Sequence, residues 1–347
     1  MNSWIFDELN RREFIKKTAL TGAAAYLGIG SDYGMAAVEP PPETTRIRLQ
    51  KSWSPCWVPQ LVAEDLLREE GFTDIQYIEH DNYGDGDKLM AEGKMDMTMD
   101  FTARIIRDIV PGSPVVFISG FHVGCYSLIG SDRISTVRDL KGKKVWAWAN
   151  MTSAPAIFFK TLVAYVGIDP DKDIEYVLVP NDEALELFKS GKIDALMSVP
   201  PGPQQLREQG IGRVLVDTNV DRPWSQYFCC LMIGARQFIT KYPIATKRAL
   251  RALMKANDLV ARNPAMAAQL LVDKGIGKAS EQKYFTQAFS DIPYDKWRLY
   301  NPEDTIRFYS LRLNELGLTK YSPSEIIAKN TDWSHLASLK SELGMTW

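Results

Sequence analysis

The segments Asp74-Ile75-Gln76-Tyr77-Ile78 and Gly93-Lys94-Met95-Asp96 have close counterparts later in the chain. The counterparts are Asp173-Ile174-Glu175-Tyr176-Val177 and Gly191-Lys192-Ile193-Asp194. The spacing between the copies is about 98 residues, which is far longer than the repeat of a solenoid protein. A duplication of this length predicts two lobes of similar fold.

Strand-like and helix-like stretches alternate within both copies. In the first copy, apolar residues from Trp57 to Leu67 lie on one helical face, and Gly71 follows them. In the second copy, the helical stretch Pro155–Val166 is followed by Gly167. Such alternation is typical of α/β architecture, so we predict two mainly parallel sheets, each flanked by helices.

Two nearly continuous apolar stretches interrupt the alternation and suggest where the chain passes between the lobes. We interpret them as hinge crossings, and after the second crossing the sequence is mostly helical. The predicted divisions are a signal peptide (1–37), a linker (38–45), lobe 1 (46–122), a hinge crossing (123–130), lobe 2 (131–223), a return crossing (224–235) and C-terminal helices on lobe 1 and the hinge (236–347).

The composition is that of a globular protein. The 347 residues are 45% hydrophobic and 24% charged, and the formal net charge is -2. These values exclude a disordered or collagen-like chain. The near balance of charges also argues against a nucleic-acid-binding protein, which needs a basic surface.

The N-terminal segment has the features of an export signal. Arg11-Arg12-Glu13-Phe14-Ile15-Lys16 precedes a short apolar stretch, and small residues follow at Ala36-Ala37. The apolar stretch is too short to span a bilayer. The order of these residues resembles a twin-arginine signal, although Asn10 stands where Ser or Thr is usual. We therefore predict a periplasmic protein without residues 1–37.

The loops after the predicted strands indicate a ligand site. In open α/β sheets, ligands bind beyond the carboxyl ends of the parallel strands. The loops there, and the return crossing, carry aromatic, hydroxyl, amide and carboxylate side chains, as a small-molecule cleft requires. The candidate ligand-binding residues are Trp53, Trp57, Asp81, Asp100, Thr102, Asn150, Thr152, Ser153, Pro200, Trp224 and Cys229.

No motif in the sequence predicts catalysis, a metal site or a cofactor. The sequence lacks the GxSxG, Walker A and HExxH patterns. Asp96 and Asp194 occupy equivalent positions in the two copies, and we interpret them as structural. Cys56, Cys125, Cys229 and Cys230 have no zinc-ligand spacing and are expected to be buried. One residue of the Cys229-Cys230 pair is expected to face the cleft, and a disulfide with Cys125 remains open.

Several features together resemble one protein family. Asp139-Leu140-Lys141-Gly142-Lys143-Lys144-Val145, Lys189-Ser190-Gly191-Lys192-Ile193-Asp194-Ala195, the duplication and the export signal are similar to ABC-transporter substrate-binding proteins. The group is that of the nitrate, sulfonate, taurine and thiamine-pyrimidine-precursor binders. The resemblance implies a type II periplasmic-binding-protein fold, reversible hinge closure, a small-molecule ligand, and permease and ATPase partners. We expect a monomer.

The resemblance leaves two alternatives to an importer component. Phe228-Cys229-Cys230 resembles part of the cysteine-rich run of fungal pyrimidine-precursor synthases, although two of that run's four cysteines are absent. No nearby histidine is expected to support an iron site, so the synthase activity is not carried over. A ligand-sensing receptor of the same fold is the other alternative.

The aromatic loops suggest a ligand class. Trp53, Trp57, Trp148 and Trp224 are expected near the cleft, whereas Lys and Arg stand only at the margins of the loops. Aromatic planes favour a flat ring, and a bare anion needs basic groups. An unpaired Asp81 or Asp100 would also penalise an anion. We therefore predict a small, polar, planar organic ligand.

Overall fold

The computed structural model describes residues 39–51, 54–79 and 86–345. The predicted signal peptide therefore lies outside the described residues. The strands are β1 (Arg46–Gln50), β2 (Asp74–Ile78), β3 (Met97–Phe101), β4 (Val115–Val123), β5 (Ser127–Gly130), β6 (Lys143–Trp146), β7 (Ile174–Tyr176), β8 (Ala195–Ser198), β9 (Arg213–Asp217) and β10 (Phe228–Ala235).

Helices follow most of these strands. They are α1 (Val58–Glu69), α2 (Gly86–Ala91), α3 (Thr102–Asp108), α4 (Ala154–Tyr165), α5 (Asn181–Lys189), α6 (Gly202–Gln209), α7 (Arg236–Lys241), α8 (Pro243–Arg262), α9 (Pro264–Asp273), α10 (Gln282–Asp291), α11 (Pro302–Glu315), α12 (Pro323–Asn330) and α13 (Ser334–Glu342). No helix within the described part of the chain is long and apolar enough to cross a membrane.

The strands form two five-stranded sheets with the same topology. The first sheet has the order β2-β1-β3-β10-β4, and the second has β7-β6-β8-β5-β9. In each sheet four strands share one direction, and one strand, β10 or β5, runs opposite to its two neighbours. The prediction of two α/β lobes is confirmed, and the sheets are mixed.

The two matched aspartates have the same structural role in both lobes. Asp96 accepts hydrogen bonds from the backbone N–H of Arg48 at 2.8 Å and from the Arg48 guanidinium. Asp194 accepts from the backbone N–H of Lys144 at 3.0 Å and from the guanidinium of Arg133. Each carboxylate therefore joins the start of one strand to its neighbour. Asp96 directly precedes β3, which begins at Met97, and Asp194 directly precedes β8, which begins at Ala195.

The chain passes between the sheets through two short segments that contact each other. β4 belongs to the first sheet and β5 to the second, so the first crossing is 124–126. The predicted crossing at 123–130 includes the end of β4 and all of β5. The return crossing is 218–227, and β10, predicted to lie within the crossing, is a strand of the first sheet.

Hydrogen bonds hold the two crossings together. The hydroxyl of Thr218 accepts from the backbone N–H of Tyr126 at 3.0 Å and donates to its carbonyl at 2.8 Å. The side-chain oxygen of Asn219 accepts from the backbone N–H of Cys125 at 3.2 Å. These bonds hold the first crossing and the return crossing in direct contact.

The C-terminal helices pack on the first lobe. α8 lies against α1, and the buried Glu70 at the end of α1 pairs with Arg251 of α8 at 2.8 Å. Asn330 at the end of α12 donates to the Val115 carbonyl in β4 and so ties this helix to the sheet edge. The sequence indicates most of these helices but not the short helices α7 and α13.

Gly124 provides a test of the contact between the crossings. Its φ is +81°, and a Cβ there would lie 1.9 Å from the side-chain oxygen of Asn219. We expect Gly124→Ala to destabilise the protein through both backbone strain and this clash. Gly112→Ala is the matched control, because Gly112 has φ +89° with nothing near a Cβ.

The Gly112→Ala control measures the loss in the free energy of unfolding that backbone strain alone causes, about 1–2 kcal/mol. The loss for Gly124→Ala should exceed the control by at least about 1 kcal/mol, measured by urea denaturation. Equal losses in the two variants would contradict the proposed close contact.

Glu43 provides a second test, because it caps α8. Its carboxylate accepts from the backbone N–H groups of Ile244 and Ala245 at 2.9 and 2.8 Å. Partial burial raises the pKa of Glu43, but these bonds lower it by more, and the net direction is downward. We expect Glu43→Ala to lower the free energy of unfolding at pH 7 by about 1 kcal/mol.

The pH dependence of this loss follows from the lowered pKa. The carboxylate contributes fully above its unfolded-state pKa, and the contribution disappears as pH falls through the folded-state value. Urea denaturation at pH 7 and pH 4 should therefore show a smaller difference between variant and wild type at pH 4. If the difference in the free energy of unfolding between wild type and Glu43→Ala were larger at pH 4 than at pH 7, the carboxylate of Glu43 would not cap α8.

Candidate functional site

A small cavity lies where the two lobes meet. Its volume is about 20 Å³, close to the space that one water molecule requires, so the lobes are closed on each other here. Residues of both lobes and of the first crossing contribute to its wall. The lining residues are Ser54, Cys56, Trp57, Asp100, Phe101, Cys125, Tyr126, Trp148, Ala154, Pro155, Val199 and Cys230.

Four aromatic side chains form much of this wall. Trp57 and Phe101 come from the first lobe, Tyr126 from the crossing and Trp148 from the second lobe. The rings of Phe101 and Tyr126 meet edge to face with centroids 5.3 Å apart. No Lys or Arg is among the described residues that line the cavity. The wall therefore suits an apolar or flat group better than a bare anion.

Two of the residues that line the cavity have unusual backbone conformations. Among the described residues, Cys125 and Trp148 are the non-glycine residues with positive φ, at 90° and 148°. Both residues line the cavity. Strained backbone of this kind is found most often at binding and catalytic sites.

Asp100 is buried at the cavity but is not unpaired. Its carboxylate pairs with Arg104, whose guanidinium also reaches Asp108 at 3.1 Å and Asp87 at 3.3 Å. Burial alone would lower the pKa of Arg104, but Asp100 and the other carboxylates raise it. Asp100 is therefore not an unpaired charge, and the argument that an unpaired carboxylate penalises an anion does not apply to it.

The N-terminus of α4 also reaches the cavity through Ala154 and Pro155. The residue before α4, Ser153, has a buried hydroxyl without a hydrogen-bond partner. The side-chain oxygen of Asn150 accepts from the backbone N–H of Thr152 at 2.9 Å and orders the preceding turn. The positive end of the helix dipole therefore points toward this part of the cleft.

The other predicted residues have different surroundings. The Thr102 hydroxyl donates to the Cys229 carbonyl at 3.1 Å, and Trp224 packs edge-on against Phe158 within the core. Pro200 is buried beside the lining residue Val199. Trp53 and Asp81 lie outside the described residues.

All four cysteines of the chain lie close together at the cavity, beside His122. The Sγ atoms of Cys125 and Cys229 are 3.4 Å apart, and those of Cys229 and Cys230 are 3.9 Å apart. His122 faces Cys230 across β4 and β10, which corrects the expectation of no nearby histidine. Among the described residues, no group of three or more His, Cys, Asp or Glu is arranged to hold a metal ion.

The charge state of this cluster follows from its contacts. Burial alone would lower the pKa of His122, but the Cys230 and Cys125 thiolates raise it to about 9. Burial alone would raise the pKa of Cys125, but hydrogen bonds from Cys229 and Cys56, and the charge of His122, lower it well below its ordinary value. The cluster therefore favours a buried thiolate next to an imidazolium.

Sequence reasoning missed part of the wall. Tyr126, Ala154, Pro155, Cys125 and Cys230 line the cavity but are absent from the candidate set. Cys230, rather than the chosen Cys229, lines it. Strand alternation predicts that one residue of this pair faces the cleft and does not indicate which one.

Comparison with known proteins gives partial matches at the level of sequence. A match to the NMT1-like family covers residues 130–272. The bicarbonate-binding protein CmpA of Synechococcus elongatus is 35% identical over 93 residues, which are 26% of this chain and 20% of that protein. The 4-amino-5-hydroxymethyl-2-methylpyrimidine phosphate synthase THI13 of Saccharomyces cerevisiae is 26% identical over 248 residues, which are 66% of this chain and 71% of that protein.

Solved structures give a match over most of the chain. The periplasmic nitrate-binding protein NrtA of Synechocystis superposes with a TM-score of 0.63 at 16% identity, covering 88% of this chain and 90% of that protein. At this identity the likeness concerns the fold, with its two sheets and the cleft between them. The chain therefore has the two-lobed fold of periplasmic binding proteins, and its residues 130–272 are similar to the NMT1-like family.

Proposed function

We propose that this chain is the solute-binding component of an ABC importer, exported to the periplasm and acting as a monomer. The observation that carries the proposal is the cavity between the lobes, because both lobes and the crossing contribute to its wall. A ligand there contacts both lobes and so favours the closed form over the open one. The permease and ATPase partners are part of the proposal.

The ligand that best fits this wall is small, flat and organic. Trp57 and Trp148 present aromatic surface from opposite lobes, and the absence of basic groups among the described lining residues disfavours nitrate or bicarbonate. The unpartnered Ser153 hydroxyl and the N-terminus of α4 favour a ligand with a hydrogen-bond acceptor at that end. A pyrimidine with a polar substituent has these properties.

A second candidate is a pyrimidine-precursor synthase-like activity. His122 beside Cys230 is the observation that favours it, together with the similarity to the yeast synthase. The pyrimidine is the product in the name of that synthase. The two candidates therefore separate by mass spectrometry of a metabolite extract incubated with ligand-free protein. An enzyme raises the total amount of pyrimidine, whereas a binding protein leaves the total unchanged.

Two sets of polar contacts join the second lobe to the rest of the chain. In the first set, Arg107 of α3 donates to the Thr152 carbonyl at 2.9 Å. In the second set, Glu208 of α6 pairs with Lys283 of α10 at 2.6 Å and accepts from Tyr284. α10 packs on α9, which contacts α1 and α8 of the first lobe. Breaking either set should therefore favour an open cleft.

The aromatic wall predicts a clear preference in ligand titrations. Tryptophan fluorescence should report binding of flat pyrimidines but not of nitrate or a simple alkyl sulfonate. Trp148→Ala should weaken pyrimidine binding about tenfold, because one aromatic contact contributes about 1–1.5 kcal/mol.

Trp333→Phe is the matched control, because the Trp333 indole donates to Glu303 and does not line the cavity. It should leave the affinity unchanged. Tight nitrate binding with silent pyrimidines would show that the assigned ligand class is wrong.

The contact between Glu208 and Lys283 predicts a reversible change in shape. Glu208→Lys places two cations together and should raise the radius of gyration measured by small-angle X-ray scattering. Adding Lys283→Glu restores opposite charges and should return the radius toward the wild-type value. Since both side chains are exposed, the effect should shrink at high salt. An unchanged radius in the single variant would exclude this contact as a determinant of closure.

A further inference from the structure

The cysteine cluster joins segments that are distant in the sequence. Cys125 lies in the first crossing, Cys229 and Cys230 lie at the start of β10 directly after the return crossing, and Cys56 lies in the 3₁₀ turn before α1. All four side chains are buried, with at most 4% of their surface exposed. The convergence follows from the fold, because the two crossings meet at this point.

One pair in the cluster is close to bonding distance. The Sγ atoms of Cys125 and Cys229 are 3.4 Å apart. A disulfide has an S–S distance of about 2.05 Å, so the sulfurs need to approach by about 1.4 Å. The pairing of β10 with β4 is irregular between Phe228 and Cys230, and the positive φ of Cys125 marks a loop rather than a regular strand. The backbones of Cys125 and Cys229 are therefore less constrained than those of residues in a regularly paired β-strand.

Local chemistry also favours reaction at Cys125. Hydrogen bonds from Cys229 and Cys56 and the nearby imidazolium of His122 lower the pKa of Cys125, although burial alone would raise it. Burial raises the pKa of Cys229, which remains a thiol. A thiolate with a neighbouring thiol is the arrangement in which the first sulfur attacks an oxidant and the second completes the bond.

We propose that Cys125 and Cys229 form a reversible disulfide that joins the first hinge crossing to the start of β10, directly after the return crossing. The Cys125 thiolate attacks a sulfur of a small-molecule or protein disulfide, displaces one thiolate and forms a mixed disulfide. The Cys229 thiol then loses its proton and attacks the Cys125 sulfur, displacing the second thiolate. Two electrons pass to the oxidant, which becomes two thiols, and the protein loses two hydrogen atoms.

The bond would have a direct structural consequence. It ties the first crossing covalently to β10 of the first sheet, beside the hydrogen bonds between Thr218 and Tyr126, and so restrains rotation of the lobes about this crossing. Cys56 and Cys230 remain unmodified and continue to line the cavity. This modification does not depend on the identity of the ligand or on the importer role.

Thiol counting tests the proposal directly. Native full-length protein is treated with oxidised glutathione, freed of reagent, unfolded in denaturant and titrated for thiols. Wild-type protein and Cys56→Ser should each lose two thiols relative to their reduced forms, and a reductant should restore them. Cys125→Ser should lose none, and Cys229→Ser should lose one, because the mixed disulfide of Cys125 with glutathione then has no second thiol to displace it. Cys56→Ser is the matched control, because it removes another buried sulfur of the same cluster.

Peptide mapping of wild-type protein keeps the test decisive if a variant fails to fold. Mass spectrometry without reduction should find the peptides of Cys125 and Cys229 joined within one chain, with two hydrogen atoms fewer than the separate peptides. A constant count of four thiols, a bond between Cys56 and Cys125, or a bond between two chains would overturn the proposal.

Discussion

The pairing of β10 with both β3 and β4 is the interaction on which the hinge, the cavity wall and the cysteine cluster depend. β10 arrives from the second lobe and lies antiparallel between two strands that precede that lobe in the chain. The first sheet is therefore complete only after the chain has returned. The same pairing positions Cys230 opposite His122, and it brings the Cys229 carbonyl to the Thr102 hydroxyl. Hinge, cavity wall and cysteine cluster all depend on this one strand.

Much of the fold could be predicted because the two copies share short local sequence patterns. Asp96 and Asp194 follow matching Gly-Lys turns, and each receives hydrogen bonds from the neighbouring strand. Such short-range patterns specify the strand–helix alternation in each lobe. The position of β10 could not be predicted from them, because an apolar run is compatible with either a crossing or a buried strand. Strand pairing between distant segments decides between these two structures.

The cavity was only partly predictable for a similar reason. Trp57 and Asp100 were found because they follow predicted strands, and Trp148 lies at the corresponding position in the second lobe. The pairing of Asp100 with Arg104 depends on burial and on the helix turn that brings them together, neither of which the loop pattern reveals. Trp224 entered the candidate set by sequence position, yet its ring fills the core against Phe158. The convergence of four cysteines required knowledge of how the crossings meet.

The contact between the crossings has a consequence for the exchange of whole lobes between such proteins. Residues 127–217 contribute every strand of the second sheet, and they form one uninterrupted insertion between β4 and β10. The hydrogen bonds between Tyr126 and Thr218 bring the start and end of that insertion together. The second lobe is thus a module with adjacent ends, which is the arrangement that tolerates domain insertion and circular permutation best. One lobe of this architecture can be exchanged for another by rebuilding a single small junction.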